Sequence, residues 1–230
     1  MMDLLKDDDF IKLEKEFKFL SRARSHIEAK HGELDKLSYV IVDLETTGLD
    51  PAANEIIEIG AIRIEGKEIK DIFNKLIKPT KPVSAEITAI TGITQDMLDN
   101  EIPVKPALQM FKEYIGESIL VAHNAEFDLS FLKINFKRWL DIDLNNFTVC
   151  TLLIARDILP NLDNHKLHTI ARYFHIDVAN RHRAIGDAEV TYQIWLKLIE
   201  KLKEKKVLTR KELESYTASL GNPKTGAAAS

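Results

Sequence analysis

The sequence predicts an α/β domain in which a mixed five-stranded sheet is flanked by helices, with a helical extension ahead of it. Apolar, β-branched runs too short for helices occur near residues 39–44, 56–64, 68–77, 118–122 and 147–151. The first three follow one another with no helical pattern between them, whereas the last two alternate with stretches of helical period. That order implies leading antiparallel strands followed by strands joined through helices. At 230 residues and 45% hydrophobic content, the chain is within single-domain range with extensions and can fill a core.

The run Tyr39-Val40-Ile41-Val42 reads as a buried central strand. In the second strand Ile57, Ile59 and Ala61 alternate with Glu58, Gly60 and Ile62, which suits a half-buried antiparallel strand. Glu65-Gly66-Lys67 then turns the chain into the third strand as a hairpin. Helical patterns follow near 84–90, 95–99 and 104–115, then a strand at 118–122, a helix at 125–138, a strand at 147–151, and helices near 152–158, 166–175 and 185–205.

Three regions result: an N-terminal helical extension (1–37), a principal domain (38–205) and a C-terminal tail (206–230). In the first, Phe10, Leu13, Phe17, Leu20 and Ile27 are spaced three and four apart, with Arg24 interrupting the series. Such a stripe either docks a partner or packs on its own domain. The tail from Ser219 onward is rich in Gly, Ala and Ser and is expected to be disordered.

Composition narrows the function classes. No stretch is apolar enough to span a bilayer, and the acidic start after Met1-Met2 is unlike a signal peptide. The single cysteine, Cys150, forms neither an intrachain disulfide nor a zinc cluster, so a reducing cytoplasm is expected. A net charge of −4 argues against a broad basic footprint for nucleic acid, yet it is compatible with a grip on a few terminal nucleotides. Lys166, Arg172, Arg181 and Arg183 are either backbone contacts or, for Lys166 and Arg172, a solvated helix face.

Three short motifs carry chemistry. In Asp43-Leu44-Glu45-Thr46-Thr47-Gly48, residues two apart on a strand share a face, so Asp43 and Glu45 project together. Two crowded carboxylates cannot both stay ionised without a cation, and oxygen-only ligands suit Mg²⁺ or Mn²⁺ rather than zinc. Thr46, Thr47 and Gly48 then leave hydroxyls and backbone N–H groups free for a closely approaching nucleotide. An Asx-type turn is the plainer reading of the same residues. In His123-Asn124-Ala125-Glu126-Phe127-Asp128, Asn124 reads as the N-cap of a helix, and Asp128 is either a ligand or an acid favoured by the helix dipole. In His182-Arg183-Ala184-Ile185-Gly186-Asp187, the carboxylate sits in the first turn of a long helix and His182 in the loop before it. That is the arrangement of a rigid ligand and a movable base, or simply of a solvated loop histidine.

Taken together and in this order, the motifs resemble the His-containing branch of the DEDD-type 3′→5′ exonucleases from about Tyr39 to Leu202. Within that family they are most similar to the ε proofreading subunit of bacterial DNA polymerase III and the exonuclease domain of the Gram-positive replicative polymerase. The resemblance implies a ribonuclease-H-like fold and two divalent metal ions, Mg²⁺ or Mn²⁺. Asp43 would bridge the ions, Glu45 and Asp187 would complete the first site, Asp128 would hold the second, and His182 would act as general base. It also implies nucleotide contacts from Thr46, Thr47, Gly48, Glu86, Thr91, Asn124 and Phe127, with Glu86 meeting the terminal 3′ hydroxyl. Thr91 stands where ε subunits carry histidine, and the Thr91-Gly92-Ile93-Thr94 form looks more like the embedded polymerase domain. The expected partners are single-stranded DNA 3′ ends and a polymerase catalytic subunit. RNA ends are the alternative substrate, against which Thr46 tilts the reading, because oligoribonuclease relatives usually show methionine there. The other alternative is a polymerase accessory module without turnover.

Overall fold

The computed structural model describes residues 32–178 and 183–221. Its centre is strand β1 (Ser38–Thr46), which pairs antiparallel with β2 (Ile56–Glu65) on one side and parallel with β4 (Ile119–Ala122) on the other. β3 (Glu68–Leu76) extends the sheet beyond β2, and β5 (Thr148–Cys150) extends it beyond β4, giving the order β3-β2-β1-β4-β5. Side chains alternate across a strand, so β1 serves two cores at once. Val40, Val42 and Leu44 pack on one face with helices α3 (Val104–Ile115) and α4 (Glu126–Leu140). Tyr39 and Ile41 pack on the other with α5 (Thr151–Ile158), α6 (Leu167–Tyr173), α7 (Ala184–Glu204) and α8 (Arg210–Gly221). Two short helices, α1 (Ala85–Thr91) and α2 (Gln95–Leu98), close the end of β2 around Ile57, Ile93 and Leu98.

The mixed five-stranded sheet with flanking helices is the predicted architecture, and the predicted elements fall where the apolar periods put them. Three local expectations are corrected. β2 is not half-buried: residues from Ile56 to Ile62 are buried on both faces, Glu58 included, because α7 covers the face that the alternation assigned to solvent. Asn124 does not cap α4. It adopts a left-handed conformation at φ 60°, its carbonyl accepts the Phe127 N–H, and the helix begins at Glu126 without a side-chain cap. Helix α8 was not among the predicted elements, yet its Leu213 is fully buried against the α7 side of the core. The N-terminal stripe from Phe10 to Ile27 lies outside the described residues, and at the end of the predicted extension Glu33 bridges to Thr209 before a single 3₁₀ turn at Leu34–Lys36.

The start of α7 is pressed hard onto β2. A Cβ placed on Gly60 would lie 2.3 Å from the carbonyl carbon of Ala184 and from the backbone nitrogen of Ile185. Only glycine leaves room for that approach, since neither backbone segment can move aside without dragging its strand or helix. Gly60→Ala is therefore expected to destabilise the protein by about 1–3 kcal/mol, read from urea unfolding. Unchanged stability would mean that α7 is not seated here.

Candidate active site

The register of β1 on β2 sets the floor of the site. Asp43 lies opposite Gly60 and Glu45 opposite Glu58, so all four positions share the face that α7 covers. Gly60 lets the α7 backbone come down, and Asp187, in the first turn of α7, is brought to the two strand carboxylates. The carboxylate oxygens of Asp43, Glu45 and Asp187 come within 4.8 Å of one another. Asp128, in the first turn of α4, reaches the same strand from the opposite side of the sheet. It is 3% exposed, and its Oδ1 accepts the N–H of Leu44 at 3.1 Å. Ladder pairing of β1 with β4 stops at Ile41, and the Asp128 carboxylate takes up a strand amide beyond it.

Crowding of like charges dominates the electrostatics. Asp43 is pushed well above the usual carboxylate range, first by burial and then by Asp128, Asp187, Glu45 and Glu58. Burial likewise raises Asp128 to about 8 and Glu45 to about 7; Asp187 and Glu58 add to the effect on Glu45, and Arg183 opposes it. Four acids cannot remain charged in one partly buried cleft unless a cation compensates them. The donors are all carboxylate oxygens, which fits a hard divalent cation. Asp43, Glu45 and Asp187 are the residues positioned to hold it, with Asp128 beside Asp43.

The other predicted residues divide. Thr46 is buried and its hydroxyl donates to the Gly48 carbonyl at 2.6 Å, while the Thr47 hydroxyl accepts the Glu55 N–H and the Thr47 N–H donates to the Glu55 carbonyl. These bonds close the turn, and they leave the Thr46 hydroxyl oxygen as an acceptor and the Thr47 hydroxyl as a donor. Thr91 is 4% exposed; its hydroxyl donates to the Ile87 carbonyl and accepts the Ile93 N–H, so it terminates α1 and has no face for a nucleotide. Glu86 is exposed in the first turn of α1, Asn124 is exposed, and Phe127 is half-buried against Phe131 at a centroid distance of 5.1 Å. His182 lies outside the described residues.

Three residues carry weight beyond the roles read from the motifs. Glu58 is fully buried, and its carboxylate binds Arg183 and the Ala184 N–H. An acid in the middle of Ile56-Ile57-Glu58-Ile59 was the available signal. Leu49, directly after Gly48, stands 83% exposed. His123 is held by Thr151, Nδ1 to Oγ1 at 3.0 Å, and burial pulls it down to about 4, so it is a neutral joint in the fold rather than a base.

A mixed sheet with an acidic cluster on the middle strand and on the helix that crosses it defines a nuclease of ribonuclease-H-like architecture. The RNase_T exonuclease family matches residues 40–195, and the chain belongs to that family. Among curated relatives, the PolC-type DNA polymerase III of Bacillus subtilis is 40% identical over 80% of this chain, and that of Thermotoga maritima is 38% identical over 77%. The matched region is 13% of the length of either relative. Solved structures share the fold. Exonuclease X, in complex with 5′ overhanging duplex DNA, is 24% identical with a TM-score of 0.58 over 72% of this chain and 92% of that one. Exonuclease I of E. coli, in complex with a dT13 oligonucleotide, is 17% identical with a TM-score of 0.66 over 81% of this chain and 44% of that one. Among the described residues no helix is long and apolar enough to cross a membrane.

Metal-free protein has a distinctive pH response. Unfolded carboxylates titrate near about 4, whereas Glu45 and Asp128 titrate at about 7 and about 8 in the fold. Between those values the folded state keeps protons that the unfolded chain has released. Stability present below pH 4 is thus lost as pH climbs through 7 and 8. In the presence of a chelator, Asp43→Asn is expected to melt above the wild type at pH 8 and to differ less at pH 5. Added Mn²⁺ is expected to raise the wild-type Tm more at pH 8 than at pH 6. An acid cluster that does not compete with folding would give parallel melting curves for the two proteins.

Proposed function

We propose that the chain is a metal-dependent 3′→5′ exonuclease that hydrolyses the terminal phosphodiester of single-stranded DNA and releases 5′-nucleoside monophosphates, in replication proofreading or repair. The observation that carries this reading is the convergence of Asp43, Glu45 and Asp187 within 4.8 Å, with Asp128 buried alongside. A module that had lost turnover would have no need to maintain four mutually repelling acids. Similarity to PolC-type polymerases supports DNA as the substrate and a polymerase catalytic subunit as the partner.

Asp43, Glu45 and Asp187 would hold one divalent ion, and Asp43 with Asp128 a second, either Mg²⁺ or Mn²⁺. Bound there, the ions supply charge stabilisation to the attacking and leaving oxygens of an in-line displacement. His182 takes a proton from the attacking water as its oxygen bonds to phosphorus. The bond from phosphorus to the 3′ oxygen of the penultimate nucleotide breaks, and that oxygen takes a proton from solvent water to become the new 3′ hydroxyl of the shortened strand. Glu86 accepts a hydrogen bond from the terminal 3′ hydroxyl. Leu49, apolar and exposed next to the carboxylate strand, provides a surface for the face of a nucleobase.

Mononucleotide release from matched single-stranded DNA and RNA in Mg²⁺ tests the proposal. DNA is expected to be degraded faster, Asp43→Ala and Asp187→Ala to lose at least about a hundredfold in kcat, and chelator to abolish turnover. Faster release from RNA would reassign the chain to exoribonucleases, and no release from either would leave an accessory role. Leu49→Ala is expected to raise KM by about tenfold, the size of one lost base contact, with kcat little changed. An unaltered KM would exclude Leu49 from the substrate surface.

A further inference from the structure

Glu58 is fully buried, acidic and unused by the chemistry proposed above. It lies opposite Glu45 on the face of β2 that α7 covers, and its charge adds to the upward push on both Asp43 and Glu45. Stability does not account for it, because apolar side chains in place of a buried ion pair commonly leave stability unchanged or raise it. Its bonds among the described residues all go to the start of α7. Arg183 donates from Nη2 to Oε1 at 2.7 Å and from Nε to both oxygens at 3.2 and 3.1 Å, and the Ala184 N–H donates to Oε2 at 3.0 Å. The Arg183 carbonyl in turn accepts the Asp187 N–H at 3.1 Å. Hydrogen bonds thus run from the β2 carboxylate, through Arg183, to the backbone of the helix acid of the cluster.

We infer that Glu58 is a positioning residue for divalent-cation binding: by clamping Arg183 and the Ala184 amide it fixes the first turn of α7, and with it the place of Asp187 against Asp43 and Glu45. The inference rests on the assignment of those three acids as metal ligands. Asp187 approaches two like charges, and its own charge raises both of them, so repulsion drives the helix acid away from the strand pair. A forked, charge-assisted bond fixes direction as well as distance and resists that displacement. A small hard cation demands near-ideal geometry, so a ligand held in place before the ion arrives gives tighter binding than one drawn in by it. Both halves of the clamp therefore act in the same direction on affinity. A purely electrostatic influence has the opposite pattern: loss of the Glu58 charge weakens the attraction for a cation, whereas loss of the Arg183 charge strengthens it.

Calorimetric titration of Mn²⁺ into the metal-free wild type, Glu58→Gln and Arg183→Gln separates the two accounts. Melting in chelator reports folding, and amide hydrogen exchange follows the Asp187 and Leu44 N–H groups. Both variants are expected to bind Mn²⁺ about tenfold or more weakly, the usual consequence of losing a group that orients a metal ligand. The Asp187 amide is expected to exchange faster in each, while that of Leu44, bonded to Asp128, keeps its wild-type rate. Unchanged affinity in Glu58→Gln, tighter binding in Arg183→Gln, or unaltered exchange at Asp187 overturns the positioning role. If one variant does not fold, the other decides on the same criteria; failure of both assigns the clamp to the fold instead of the site and equally overturns it. Failure of the underlying reading is seen in different samples: a wild type that takes up no Mn²⁺, or an Asp43→Ala variant that binds it unimpaired, removes the metal site itself.

Discussion

Mutual repulsion among carboxylates is the constraint around which this protein is built. Asp43, Glu45 and Asp187 are gathered within 4.8 Å and Asp128 is buried beside them, against the preference of each for water. No local interaction would hold such a group together, so the scaffold must. The acids accordingly sit on the most rigid positions available: the middle strand of a five-stranded sheet and the first turns of two helices packed on opposite faces of it. Helix starts also favour negative charge, which offsets part of the cost at Asp128 and Asp187. The remaining imbalance is what makes the cluster a receptor for divalent cations.

β1 and β2 divide the work. β1 presents the ligands, and β2 determines how closely α7 can come to them, with Gly60 permitting contact and Glu58 securing it. β2 is thereby buried on both faces and carries a charged residue in its core, an arrangement stable only because each Glu58 oxygen has a donor. On the other face of the sheet, Asp128 completes the hydrogen bonding of β1 through Leu44. The site and the fold are stabilised by the same contacts, so the carboxylates cannot be treated as decoration on an independent scaffold.

Membership in the exonuclease family accounts for residues 40–195, and the Tyr39–Leu202 span of the motifs agrees with it. The curated polymerase relatives are far longer, since the matched region is 13% of their length. Helix α8 extends the described fold past that family region and packs Leu213 into the core beside α7, while its Arg210 lies over the Phe147 ring at 5.8 Å. The exonuclease unit here is thus continued by a further helix that shares its hydrophobic core.

The strands, the long helices and the Asp43/Glu45, Asp128 and Asp187 motifs were legible in the chain because each is a local pattern: a run, a period, or a fixed spacing on one element. Asn124 as a cap and Thr91 as a nucleotide contact were misread because their residue types suit more than one local role, and only the fold shows which partner is within reach. Glu58 was missed for a related reason: alternation along β2 is ambiguous until one knows whether a helix covers the second face. The sequence by itself determined which acids exist, on which kinds of element and in what order. Tertiary structure alone decided that three of them meet with Asp128 buried on the same strand, that a fifth is turned to Arg183 and the α7 backbone, and that Thr91 is buried, since those outcomes depend on distances between segments up to 144 positions apart, which no local spacing encodes.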